Sequence, residues 1–466
     1  MLFYEPLFLF VFFPFVFTTY LLLKRFAGAA LGWIAIASCL FYLWSEPVFF
    51  WIALASAALD YVLGNRITRN TGGIWLGIGV ASNLLLLGAF KYSGFLTADV
   101  ANPALMWIGT IQLPIPSLAL PIGVSFIVFE KITYLVDIRR GISPPAASFQ
   151  KYIFFVFFFP KLLAGPIIKY HEIEPQLATM APGYPGLVAL GMERFATGVV
   201  KKVFLADSAA SIADQAFLVP AASIGQVDAW LGAVFFTAQI YFDFSAYSDM
   251  AIGLALMLGF RLRENFNFPY AAIGITEFWR RWHISLSTWI KEYLYISLGG
   301  SRGPTWRTYL NLFVCFMASG IWHGASWTFV AWGAFHGFFL VIERAFAGDW
   351  LKRLPALTGT LLTFYVVLHG WVLFRSTNFH QASSVTSAMY SMDGGWTVYV
   401  PPQIGIVVIG ALLVALCSRW WLPQLAPILA MPRVRLASQV MLVFLFVLAL
   451  GRVLAIPVQP FLYFRF

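Results

Sequence analysis

Three groups of polar residues stand inside stretches that are otherwise apolar, and they carry the chemistry this sequence offers. The first is Gln239-Ile240-Tyr241-Phe242-Asp243-Phe244-Ser245-Ala246-Tyr247-Ser248-Asp249-Met250. Carboxylates and hydroxyls among apolar neighbours need partners or water, because an uncompensated polar group is costly in a low-dielectric medium. Asp243 and Asp249 are six residues apart, about 240° around a helix, so a carboxylate dyad sharing a proton is not expected. The group reads either as a polar network tying helices together or as the lining of a water-filled or substrate-filled passage.

The second group is Glu277-Phe278-Trp279-Arg280-Arg281-Trp282-His283, followed by Ser285, Ser287, Thr288 and Trp289. Glu277 and Arg281 form an i,i+4 pair, and the pattern predicts an amphipathic helix at the cytoplasmic interface. Its arginines suit the phosphates of an activated donor, or simple anchoring at the membrane surface. The third group is Gly320-Ile321-Trp322-His323-Gly324-Ala325-Ser326-Trp327. A neutral imidazole at membrane depth can serve as a general base, or it can be a core histidine with satisfied hydrogen bonds. His336 follows His323 by thirteen residues, about 220° around a continuous helix, and is not expected to face the same site. His369 reads as structural, and His171 and His380 fall in loops. No histidine pair has zinc-ligand spacing, and there is no P-loop or G-x-S-x-G elbow, so no metal or cofactor site is expected.

The elements that must position these groups are apolar runs near 7–23, 31–44, 47–63, 74–90, 118–136, 152–168, 187–205, 229–260, 309–322, 325–342, 357–374, 403–418 and 437–455. Some are too short or too polar to span, leaving about ten to twelve crossings. The run 152–168 holds Pro160, Lys161, Gly165 and Pro166 in its second half and is expected to be broken or re-entrant. Across the 466 residues, 60% are hydrophobic and only 11% charged. That is too little charge to cover a water-facing surface, since soluble domains carry about 25%. A soluble enzyme, a disordered chain and a disulfide scaffold are excluded, and the continuous apolar runs argue against a β-barrel. The fold class is an all-α polytopic membrane protein, read as one membrane domain over residues 1–466.

The formal charge of +10 sits in short basic clusters, such as Lys24-Arg25, Arg139-Arg140 and Lys201-Lys202. These read as positive-inside loops, not as a nucleic-acid-binding arm. Lys24-Arg25 follow residues 7–23, which are expected to be a retained helix with the N-terminus outside. Cys39, Cys315 and Cys417 lie far apart in or beside apolar runs and read as small hydrophobes.

Taken together, these stretches resemble the membrane-bound O-acyltransferase family, in particular its branch serving bacterial alginate O-acetylation, with the cellulose-acetylation branch close by. The resemblance rests on Leu120-Pro121-Ile122-Gly123-Val124-Ser125-Phe126, Phe159-Pro160-Lys161-Leu162-Leu163-Ala164-Gly165-Pro166-Ile167, Tyr241 to Leu254, Glu277 to Ser287, Tyr293 to Gly300, and Trp322-His323-Gly324-Ala325. One departure is Ala246, where the branch has glycine. The resemblance implies about eleven transmembrane helices with re-entrant segments around a central tunnel. It aligns His323 with the family's histidine in the W-H-G motif and His283 with its second characteristic position.

The implied activity is O-acetyl transfer from a cytoplasmic thioester, acetyl-CoA, across the bacterial inner membrane to an exported exopolysaccharide, through a periplasmic acetyltransferase or relay partner. In that reading His323 is the base deep in the tunnel, beside Trp322. His283 positions the thioester or stabilises developing charge, Arg280 and Arg281 hold the donor's phosphates, and Gln239, Asp243 and Ser245 line the tunnel. The alternatives are D-alanyl transfer to teichoic acid by a sister branch, or a non-enzymatic transporter or scaffold for polysaccharide export. A transporter predicts inverted repeats, and none is visible in the sequence.

Overall fold

A computed structural model describes residues 1–67, 72–109, 112–178, 185–456 and 459–462, and every regular element among them is a helix. Helices satisfy their own backbone hydrogen bonds, which is the condition for crossing lipid. By length and composition, five helical stretches among the described residues can span: Gly28–Ser45, Gly73–Trp107, Trp327–Leu351, Ala356–Arg375 and Pro432–Ala455. A sixth is reached if Pro402–Leu416 and Ser418–Leu429, bent by 90° at their junction, form one broken span. Other apolar runs fold as helices that are shorter or carry buried charge, so eleven crossings stay an expectation. In Pro432–Ala455 only 6% of the apolar window is buried. Leu436, Val440, Val443, Phe444 and Val447 are exposed along it, a face that requires lipid. The protein is a multi-pass membrane protein.

The chain divides into two compact units, Met1–Arg194 with Ala251–Arg263, and Phe195–Met250 with Glu264–Phe466. In the first, the helix Val124–Arg140 is almost wholly buried and packs against Phe49–Arg66, Gly73–Leu87 and Phe149–Phe157. Its charges are matched by neighbours. Lys131 reaches Asp60 at 3.1 Å, Asp137 meets His171 Nδ1 at 2.9 Å, and Glu130 pairs with Lys161. The expected break in 152–168 occurs at Phe158, whose backbone (φ −47°, ψ 104°) leaves the helix. A short helix, Phe159–Leu162, then restarts with Pro160 in its first turn, where a missing N–H costs nothing. The break turns Lys161 inward onto Glu130, away from lipid.

The second unit is built on an aromatic core that includes Tyr270, Phe278, Trp282, Trp332 and Trp371. The run 229–260 is one unbroken helix over Gln226–Met257, of which the part through Met250 belongs to this unit. The segment 309–342, by contrast, is a hairpin of Thr305–His323 and Trp327–Ile342. Gly324 and Ser326 are extended, and Ser326 caps the second helix by accepting from Thr328 N at 3.3 Å. The two arms touch at Gly320 and Gly333. A Cβ on Gly320 would lie 2.3 Å from Phe329 O, so only glycine permits this approach.

Candidate active site

His283 sits where one amphipathic helix was expected, and the helix is not continuous there. Ile275–Arg281 ends at Trp282, His283 takes a left-handed backbone (φ 42°, ψ 57°), and Ile284–Trp289 begins anew. A non-glycine residue in that region is uncommon and needs support from its surroundings. The support comes from Asn265–Asn267, a segment clasped along the turn: Asn267 N donates to Arg281 O and Ile284 N to Asn265 O, both at 2.9 Å. Trp282 is buried at 1% exposure and Trp279 at 7%, so these tryptophans belong to the core and do not anchor a membrane surface. The helix start is held from elsewhere in the same unit. Glu343 accepts from Ile275 N at 2.5 Å and Thr276 N at 3.2 Å, and Thr363 Oγ1 accepts from Gly274 N at 2.7 Å.

His323 is the last residue of its helix and is 6% exposed. Its ring lies 5.0 Å from that of Trp332 and 5.3 Å from that of Phe374, centroid to centroid. Trp322 neighbours both candidate histidines, 4.9 Å from His323 and 6.3 Å from His283. On its other side His283 meets Phe244 edge-on at 4.5 Å. Residues forty positions apart are thus brought to one aromatic cluster. His336 joins it too, 5.0 Å from Trp332. The helical phase used for His336 assumed one continuous helix; the non-helical link at 324–326 folds the second arm back, and both imidazoles neighbour Trp332.

The first polar group is tied up by cations. Asp243 accepts from Lys202 Nζ at 2.9 Å and from Leu462 N at 2.8 Å, and Lys202 also reaches Asp207 at 2.8 Å. Lys201 pairs with Asp249 and donates to Ser245 Oγ at 3.0 Å. Lys201 and Lys202 are therefore not loop charges: they open a π-helical turn, Lys201–Ala206, packed on the long helix, and Lys202 is only 2% exposed. Gln239 is buried, with no hydrogen-bond partner for Oε1 among the described residues.

Arg280 is exposed. Arg281 makes the expected pair with Glu277, at 2.7 Å, and also donates to Asn267 O at 3.1 Å. Arg419 shares the same carboxylate at 2.5 Å, so two guanidiniums surround one acid and the patch keeps an excess of positive charge suited to phosphate. Sequence reasoning missed Asn265, Glu343 and Arg419, each far along the chain from the turn it supports. Two lysines at the end of one apolar run and two aspartates within another gave the opposite charges but not their pairing.

Comparison with known proteins fits this arrangement. The family model of MBOAT, the membrane-bound O-acyltransferase family, matches residues 144–379, which include both histidines. The chain is 44% identical over 404 residues to the "Probable alginate O-acetylase AlgI" of Azotobacter vinelandii, covering 85% of this chain and 79% of that protein. It is 36% identical to the peptidoglycan O-acetyltransferase of Helicobacter pylori, covering 84% and 80%. Identity to the teichoic acid D-alanyltransferase of Bacillus subtilis is 25%, covering 74% and 86%. The chain belongs to the membrane-bound O-acyltransferase family and is an O-acyltransferase.

Proposed function

We propose that this chain moves acetyl groups from acetyl-CoA at the cytoplasmic face of the bacterial inner membrane toward an exported exopolysaccharide, alginate being the acceptor best supported. A periplasmic protein completes the transfer. The observation that carries the reading is the pair of buried histidines that both neighbour Trp322, in a chain 44% identical to an alginate O-acetylase. Identity is higher to the O-acetylases, 36% and above for those cited, than to the D-alanyltransferase at 25%, which favours acetyl over D-alanyl.

In this reading His323 is the base. The acceptor hydroxyl oxygen forms the new ester bond to the acetyl carbon and passes its proton to His323. The C–S bond breaks, and the departing sulfur takes that proton to leave as CoA thiol. His283 positions the thioester. Arg280 and Arg281, with Arg419 beside them, concentrate the donor's phosphates. Gln239, Asp243 and Ser245 form the polar wall, with Asp243 and Ser245 held by Lys202 and Lys201. The test is the acetyl content of exported polymer from cells carrying His323→Ala at normal protein level. Loss of acetyl groups supports the reading, and unchanged acetylation overturns it.

A further inference from the structure

The side chain of Asn265 faces one ring nitrogen of His283. Asn265 is fully buried, and its partners tell its two amide atoms apart. The main-chain N–H of Ser285 points at one of them from 3.1 Å. A main-chain N–H can only donate, so that atom is the carbonyl oxygen, Oδ1. Ser285 Oγ donates to the same oxygen at 2.8 Å, and the amide nitrogen donates to Ser248 Oγ at 3.3 Å. His283 Nδ1 lies 3.2 Å from this same Oδ1. An amide oxygen has no hydrogen to offer, so the contact is a hydrogen bond only when Nδ1 is protonated.

We propose that Asn265 is a positioning residue of the acyl-transfer site: it locks His283 in the Nδ1–H tautomer, so that Nε2 presents a lone pair and accepts a hydrogen bond from the substrate. This replaces one role considered for His283, that of stabilising developing negative charge, since a bare Nε2 cannot donate to an oxyanion. The inference rests on His283 belonging to the transfer site, as proposed above.

The surroundings keep the ring uncharged. Its neighbours are Phe244 on the long helix, Trp322 on the hairpin, and Asn265. The charged and titratable groups on those elements and its own include Asp243 and Asp249, bound by Lys202 and Lys201; Asp228, bound to the backbone at Thr397 and Val398; Arg281, bound by Glu277; and Arg280, Glu264, Arg307, His323 and His336, with Tyr241, Tyr247, Tyr309 and Cys315. Burial alone pushes the His283 imidazole down to about 3.

The test begins with a readout independent of turnover. Full-length protein labelled with 15N-histidine is compared with His283→Gln, which assigns the His283 ring nitrogens by difference. A protonated Nδ1 and unprotonated Nε2 are expected from pH 5 to 8, with the other tautomer appearing in Asn265→Leu. An Nε2–H tautomer in the unmodified protein overturns the proposal whatever the activity. Turnover then tests positioning. Asn265→Leu should lower kcat by about 10- to 100-fold, by analogy with outer-shell groups that orient metal-bound imidazoles. Asn265→Asp, which keeps the acceptor oxygen, should recover activity at neutral pH and add an acid limb, because its charge raises the pKa of His283. In a His283→Gln background, Asn265→Leu should cost no more than about twofold, because the two act as a unit. Additive losses overturn the proposal. A His283→Gln protein with unchanged activity overturns the site reading, and the positioning role with it, even when the tautomer is as stated.

Discussion

His283 and His323 meet the same indole: the Trp322 ring centroid lies 6.3 Å from one imidazole and 4.9 Å from the other. A change at Trp322 therefore reaches both histidines. Trp322 is 6% exposed and held among these rings, so truncating it loosens both at once. Trp322→Ala should reduce kcat at least as much as either histidine substitution alone. His323→Ala, which removes the proposed base, should lower kcat by about 10²- to 10⁴-fold, with a smaller change in KM. Thioester turnover by protein purified in detergent separates the two parameters.

Acidification should destabilise the protein through His283. Its folded pKa, about 3, lies below the unfolded value of 6.5. Between those values the unfolded chain binds a proton that the folded chain does not. The contribution is fully present above pH 6.5 and is lost progressively as pH falls toward 3. Apparent melting temperature measured at pH 7.5 and 5.0 should fall more for the unmodified protein than for His283→Gln, which has no imidazole to charge.

Lys202 neutralises Asp243 and Asp207 at 2.9 and 2.8 Å while itself buried. Lys202→Met strands two carboxylates, a change that costs about 3–5 kcal/mol when a buried pair is broken from one side. Lys202→Met combined with Asp243→Asn should be milder than Lys202→Met alone, because one stranded charge is gone. Thermal unfolding of the three proteins in detergent checks the order.

Gly320 and Gly410 should respond oppositely to alanine. A Cβ on Gly320 meets Phe329 O at 2.3 Å, and backbone on both arms of the hairpin must shift, at a cost of about 1–3 kcal/mol. Gly410 lies inside the helix Pro402–Leu416 with nothing within 4 Å of such a carbon. There alanine should be neutral or stabilising by up to about 1 kcal/mol. Melting temperatures of the two variants distinguish the cases.

Glu343 binds the first N–H groups of the helix that leads into His283. Glu343→Ala leaves those donors unmet and should lower stability by about 1–3 kcal/mol. Glu343→Gln keeps an acceptor oxygen and should recover most of the loss. Activity and melting temperature should fall together in the alanine variant, since the helix end carries the His283 turn.

Parts of this arrangement were legible in the chain itself. Pro160, Lys161, Gly165 and Pro166 within one apolar run announce a broken segment, and the chain does leave the helix at Phe158. The Glu277–Arg281 pair follows from i,i+4 spacing and is present at 2.7 Å. Other readings failed for identifiable reasons. Helical phase is no guide to His336 relative to His323, because it carries no information across the non-helical residues 324–326. The amphipathic pattern over 277–289 predicted one helix, and the left-handed backbone at His283 has no signature in residue type. Lys201 and Lys202 looked like loop charges because their partners, Asp249 and Asp243, lie more than forty residues away.

What the sequence by itself determined was the solvent and the secondary structure. With 60% hydrophobic and 11% charged residues, the chain has to fold in lipid, and lipid admits a self-satisfied helix. It also marked which residue types could carry acyl chemistry. Only the tertiary structure decided the partner of each buried polar group: Lys202 for Asp243, Glu343 for the backbone at Ile275, and Asn265 for Nδ1 of His283. Solvation preference is a sum over composition and can be read along a chain. A hydrogen bond at 3 Å depends on the packing of segments distant in sequence, and so does the protonation of the ring that it holds.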